Sequence, residues 1–214
     1  MANIRVTLTD SVRVIEQRVN KAIASKMNST LMQGRGLIVK RLRPMVVQWV
    51  SEQREMVELR RGGVGSLASQ LGLVAGTEEK ITNTIIQSVA ASIEVDFRKV
   101  SDNLKSGGIT IQCQLANFSD LLSLPEGFVQ DNKLVGELHW LRWLLKEGHT
   151  PIIVGYTYEP KSGFGRSKGG IMGGGGMWRV PPQYAGTLEN NFVTRAFEKR
   201  EAHIQRLLEQ VLGG

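Results

Sequence analysis

One cysteine, Cys113, stands among 214 residues, so no intrachain disulfide can form and the fold must rest on its core. Aromatic residues are scarce at 6%, and three of the four tryptophans lie between Trp140 and Trp178. No apolar run approaches about 18 residues, the threshold for a candidate membrane-spanning helix, so none is expected. A charged-then-apolar signal layout is likewise missing at the N-terminus, so a cytosolic profile is expected. The three histidines, His139, His149 and His203, have no second His or Cys at metal-ligand spacing, which argues against a zinc site. No serine sits in a Gly-x-Ser-x-Gly elbow. The acids are not paired in a way that suggests proton transfer. Neither a catalytic role nor a cofactor is expected.

Acid is missing where base is plentiful. No Asp or Glu occurs between Glu16 and Glu52, a window that carries Arg18, Lys21, Lys26, Arg35, Lys40, Arg41 and Arg43. Residues 1–61 hold 12 basic and 5 acidic residues, whereas residues 62–214 hold 15 of each. A concentration of one sign points to an anionic partner, whether nucleic acid, membrane surface or acidic protein; a solvated helix face is the plain alternative. Arg35, Lys40, Arg41 and Arg43 are the candidate contacts with DNA or an acidic neighbour. The window lacks the aromatic interleaving of single-strand binders, so any contact would be with phosphates and independent of base sequence.

Periodicity gives the elements. Leu8, Val12, Ile15, Val19 and Ile23 fall on one helical face over residues 8–32, and Gly34 and Gly36 are read as a break. Ile38, Leu42, Met45, Trp49 and Met56 mark a second helix, with Pro44 as a kink or a start. The two helices predict an αα-hairpin over residues 1–61. A Gly-rich connection, residues 62–76, follows. Thr77 then caps a third helix whose stripe runs through Ile81, Ile85, Val89, Ile93, Phe97, Val100 and Leu104. Ile109, Ile111, Cys113 and Leu115 alternate with polar residues, as in a strand with one buried face. A short helix from Leu134 to Glu147, a strand from Ile152 to Tyr158 and a last helix capped by Thr187 complete residues 77–214. The expected fold class is α+β, a small antiparallel sheet flanked by helices. In it the strand 109–115 pairs with the strand 152–158, and the last helix packs on them. His139 is read as a structural histidine with its hydrogen bonds satisfied.

Residues 162–176 hold eight glycines in 15 positions. Ordering such a segment is costly, which points to a loop that orders against a neighbouring chain. A disordered insertion is the alternative. Nucleotide binding does not fit, because Lys168 precedes its glycines and occupies the sixth position of the Gly163-x-Gly165 run. Gly163, Phe164, Gly165, Arg166, Lys168, Gly169, Gly170, Ile171, Met172 and Trp178 are the candidate subunit interface.

Over about 80 residues the chain carries an ordered series of motifs. Leu134-Val135-Gly136-Glu137-Leu138-His139-Trp140-Leu141-Arg142-Trp143-Leu144-Leu145-Lys146-Glu147-Gly148 comes first. Gly165-Arg166-Ser167, Ile171-Met172, Trp178-Arg179-Val180-Pro181-Pro182, Ala185-Gly186-Thr187 and Asn190-Asn191-Phe192-Val193-Thr194-Arg195-Ala196 follow. Together they resemble the head–tail junction proteins of tailed bacteriophages, the neck or tail-completion proteins. The resemblance implies a structural virion protein assembled in the host cytoplasm. It implies a homo-oligomeric ring around the DNA channel, with portal, adaptor or tail proteins as neighbours and non-specific contact with DNA. Membrane is not among the implied partners.

Overall fold

The computed structural model describes residues 9–113, 117–130 and 137–213. The chain is α+β, with eight α-helices and three two-stranded antiparallel pairs among the described residues. It divides into two compact units. One holds residues 1–41, 94–112 and 204–214, and the other holds residues 42–93 and 113–203. The Gly-rich stretch 62–76, read from sequence as a connection, lies inside the second unit.

The expected αα-hairpin is instead one 40-residue helix, α1 (Val12–Ser51), which runs through Gly34, Gly36 and Pro44. Gly34 does not break the helix and lies beneath the tip of a leucine side chain. A Cβ at this position would come within 2.7 Å of Leu212 Cδ2, on the helix α8 (Glu201–Leu212). Pro44 removes one backbone donor, yet Leu42, Val46, Trp49 and Val50 around it are all buried. Burial of that face offsets the local cost of the proline.

In the first unit α1 meets the hairpin of β1 (Glu94–Arg98) and β2 (Gly108–Gln112). Ala24, Leu31 and Val100 form a small buried cluster, with Phe97, Ile109 and Leu212 packed against it. Asn28 clamps the contact: its Nδ2 donates to Val100 O at 3.0 Å, and its Oδ1 accepts from Val100 N at 2.7 Å. The register pairs Val95 with Ile111 and Phe97 with Ile109. Two expectations are corrected here. The third helix, α4 (Glu78–Ala91), does not continue to Leu104, because the chain turns at Ser92 and becomes β1. The strand read as 109–115 pairs with β1 and not with residues 152–158. Its alternation does hold: Ile109 and Ile111 are half-buried while Thr110 and Gln112 are exposed. Cys113 is half-buried just beyond the strand, and Leu115 lies outside the described residues.

The second unit has the larger core. Within it α2 (Arg54–Arg61) packs on α3 (Leu67–Gln70), α4 and α7 (Phe192–Phe197). Helix α6 (Leu141–Leu145) packs on α5 (Ser119–Leu122) and α7. The helix expected over 134–147 is confined to α6. It is preceded by a strand pair, β3 (Val129–Gln130) with β4 (Glu137–Leu138), and its expected start at Leu134 lies outside the described residues. Trp140 and Phe192 are fully buried. The last expected helix is two, α7 and α8, split where Lys199 takes a left-handed φ of 59°. Asn191 caps α7, not Thr187. Its side chain accepts from Val193 N at 2.9 Å and Thr194 N at 3.1 Å, closing a capping box with Thr194. No helix among the described residues is long and apolar enough to cross a membrane.

Candidate assembly surface

Nearly half of the glycine-rich segment, from Gly170 to Gly176, is strand. β5 (Ile153–Pro160) and β6 (Gly170–Trp178) form an antiparallel ribbon, and only residues 161–169 connect them. The 15-residue loop expected from sequence shrinks because its glycine run, Gly173 to Gly176, lies inside β6. Cross-strand hydrogen bonds supply the order that glycine side chains cannot.

Two anchors hold the ribbon within its own chain. At the base, Ile152 N donates to Trp178 O at 2.9 Å, and Trp178 and Val180 are buried. At the tip, Tyr158 Oη donates to Gly169 O at 2.8 Å, accepts from Gly65 N at 3.2 Å and shares a hydrogen bond with Ser69 Oγ. Gly169 is buried, and a Cβ there would stand 2.7 Å from Ser69 Cβ. Ala75 N donates to Arg166 O at 3.3 Å, tying down the connection a second time. The tip is therefore ordered by its own chain, against the expectation that only a neighbour could order it.

The candidate interface residues divide accordingly. Gly163 and Gly165 take left-handed φ values of 77° and 70°, as does Lys168 at 53°. Phe164 is 48% exposed beneath Lys161, whose Nζ lies 3.9 Å from the ring centroid. Arg166 and Lys168 are exposed, Gly169 and Gly170 are buried, and Ile171 and Met172 are half-buried opposite Glu159 and Tyr158. Trp178 belongs to the base anchor.

Between the anchors the ribbon is open. Val154 and Met177 face each other across the strands and are 75% and 62% exposed. Tyr156 is exposed beside a bulge between Val154 and Tyr156. No third strand among the described residues pairs with either edge. A two-stranded ribbon is marginal by itself, and an uncharged edge is open to pairing with another chain. Sequence reading missed Val154 and Met177, since their pairing depends on a turn placed inside the expected loop.

The four cations proposed for an anionic contact do not share one face of α1. At about 100° per residue they are spread around the helix. Arg35 lies 4.0 Å from Asp96, and Arg43 Nη2 donates to Ala91 O at 3.2 Å. Lys40 and Arg41 are exposed and enter no ion pair among the described residues.

The titratable groups elsewhere serve the core. Glu55 is fully buried against Arg195, and Arg54 Nε lies 3.6 Å from the same carboxylate oxygen. His139 stacks on Phe128 at 4.1 Å with its Nε2 buried and without a hydrogen-bond partner among the described residues, contrary to the satisfied histidine expected. Burial, then Arg142 and Lys146 nearby, hold its pKa below the usual value. Burial pushes the Cys113 thiol up to about 11, against a smaller opposing effect of the Ser92 hydroxyl. No cluster of metal-ligating side chains occurs among the described residues. Compared with known proteins, the chain matches no family model, and no curated protein or solved structure to a significant level.

Proposed function

We propose that the chain is a structural virion protein of the phage neck, a connector or tail-completion component that forms a homo-oligomeric ring around the DNA channel. Two things support this reading. The first is the order of motifs from Leu134 to Ala196, which resembles neck proteins. The second, and the observation that carries most weight, is the β5–β6 ribbon. It is anchored at both ends, bare along its glycine run, and exposes the Val154–Met177 pair between two open edges. Such a ribbon serves strand or face pairing between subunits, in which backbone donors supply affinity and the apolar pair fixes the position. Phe164 at the connection adds a second exposed apolar contact.

A ring of this kind would lie between the portal or adaptor side and the tail. Negative-stain imaging of the purified chain, with light scattering in the presence and absence of duplex DNA, tests the reading. Closed rings that form without DNA support it. A monomer that changes size only when DNA is added favours the second reading, a sequence-independent nucleic-acid-binding protein. Lys40 and Arg41, exposed and in no ion pair among the described residues, are the observation behind that alternative.

A further inference from the structure

The β5–β6 ribbon is weak at one point and clamped at another. Its register breaks between Val154 and Tyr156, where Gly155 on β5 and Gly175 and Gly176 on β6 fall outside the paired positions. All three take left-handed φ values, 89°, 99° and 80°. Glycine on both strands at a bulge leaves the direction of the outer ribbon free to change. Thr157 Oγ1 donates to Gly175 O across this point at 2.6 Å, but the bond is exposed and competes with water. The clamp lies beyond the bulge. The aromatic ring of Tyr158 lies over Gly170, where a Cβ would come within 2.6 Å of its atoms. The Tyr158 hydroxyl meets Gly65 N, Ser69 Oγ and Gly169 O, which belong to two other segments of the same unit. Ser69 is buried in α3, and its own N–H is held by Ser66 Oγ at 3.1 Å.

We propose that Tyr158 is a latch: it sets the bend of the ribbon at the Gly155 hinge, and the latched form is the one that assembles. The inference rests on the reading of the ribbon as a subunit contact. Val154 and Met177 stand on the base side of the bulge, and Phe164 stands beyond the tip. A neighbouring copy that touches both needs them at one fixed separation, and a hinge between them would let that separation drift. The latch removes the drift before docking. Once it opens, the ribbon must be ordered as the copies meet, and the apparent affinity falls with the latched fraction. The latched form is also the favoured one. Gly169 is buried, with a Cβ position only 2.4 Å from Gly63 O, so release would pull buried backbone from its partners. Tyr158 is half-buried and bonded to its own chain, so it acts on assembly as a positioning residue and not as a contact.

Sedimentation velocity over a concentration series, with hydrogen exchange on the same samples, tests this on the full chain. Tyr158→Phe keeps the aromatic ring over Gly170 and removes only the hydroxyl. Amides of the paired stretches 156–160 and 170–174 should then exchange about tenfold faster, while those of α2 and α4 keep their protection. The concentration of half-assembly should rise about fivefold or more, with the melting temperature near that of the wild type. A general loss of stability would instead lower the melting temperature and expose α2 and α4 as well. Ser69→Ala removes one of the three partners and should shift both readouts the same way by less; it gives the answer should the phenylalanine variant not fold. If the wild type assembles and Tyr158→Phe assembles at the same concentrations, the latch is overturned and the subunit contact stands. Unchanged exchange in the ribbon of Tyr158→Phe also overturns the latch. A wild type that is monomeric at every concentration overturns the subunit contact, and the latch with it.

Discussion

Residues 42–93 and 113–203 bury Glu55 and Asn191 completely, each held by partners distant in sequence. Residues 1–41, 94–112 and 204–214 leave six apolar side chains of one helix in solvent. The charges divide in the same way. Among the described residues the second unit carries 14 basic and 13 acidic side chains, and the first carries 11 and 6. The second unit packs Trp140, Leu141, Leu144 and Phe192 to near zero exposure and keeps exposed apolar side chains on its β5–β6 ribbon, at Val154, Phe164 and Met177. The other closes a small cluster around Leu31 and keeps the rest of its apolar stripe on display.

The largest expected effect breaks the self-sufficient unit. Arg195→Leu would leave the fully buried Glu55 with only the half-exposed Arg54 for charge compensation. Urea denaturation should show a loss of about 3–5 kcal/mol, and adding Glu55→Leu should recover most of it. Leu31→Ala in the other unit should cost less, about 2 kcal/mol, near the low end for a leucine because its cluster is small. Hydrogen exchange sharpens the comparison. The amides of β1 and β2 should lose protection in that variant, and those of α2 should keep theirs.

A smaller change separates the ribbon from its anchor. Gly169→Val introduces a side chain against Ser69 and Gly63, at a cost of about 1–3 kcal/mol. The connection 161–169 should then become cleavable by trypsin at Lys161 or Lys168, while the core fragments stay resistant. The smallest effect is chemical. With the Cys113 thiol raised from 9.0 to about 11, its thiolate at pH 8 is roughly a hundredfold scarcer than in an ordinary thiol. Iodoacetamide should label the native chain correspondingly slowly and the urea-unfolded chain at the normal rate.

Part of this architecture was legible in the residues. The helical character of α1 and α4 and the alternation of Ile109 and Ile111 follow from periodicity, but the expected stripe of the first helix does not mark its buried face, since Val12, Val19 and Ile23 are exposed, and the break at Lys199 was read as continuous helix. In two misreadings a local signal was overridden by tertiary packing. Ile93, Phe97, Val100 and Leu104 fit a helical spacing, but Ile93, Val95 and Phe97 alternate with Glu94, Asp96 and Arg98, and tertiary burial of Val95 decided for the strand. Gly34 looked like punctuation because glycine breaks isolated helices. Here the helix continues through it, and the side chains of Leu212 and Val211 pack over it. The ribbon escaped for a different reason: four successive glycines carry no alternation to read, and only the pairing with β5 reveals the strand. The Tyr158 anchor on Ser69 and Gly65 joins segments about 90 residues apart, a distance that no local pattern encodes.

The mass of the chain in solution, measured by light scattering over a range of concentrations for the wild type and for Val154→Asp with Met177→Asp, tests the assembly reading most directly. Both substituted side chains are exposed in the single chain, so the melting temperature should hold. The account predicts a closed assembly of several copies for the wild type and a folded monomer for the variant. A wild type that stays monomeric at every concentration, or a variant that assembles as well as the wild type, would contradict it.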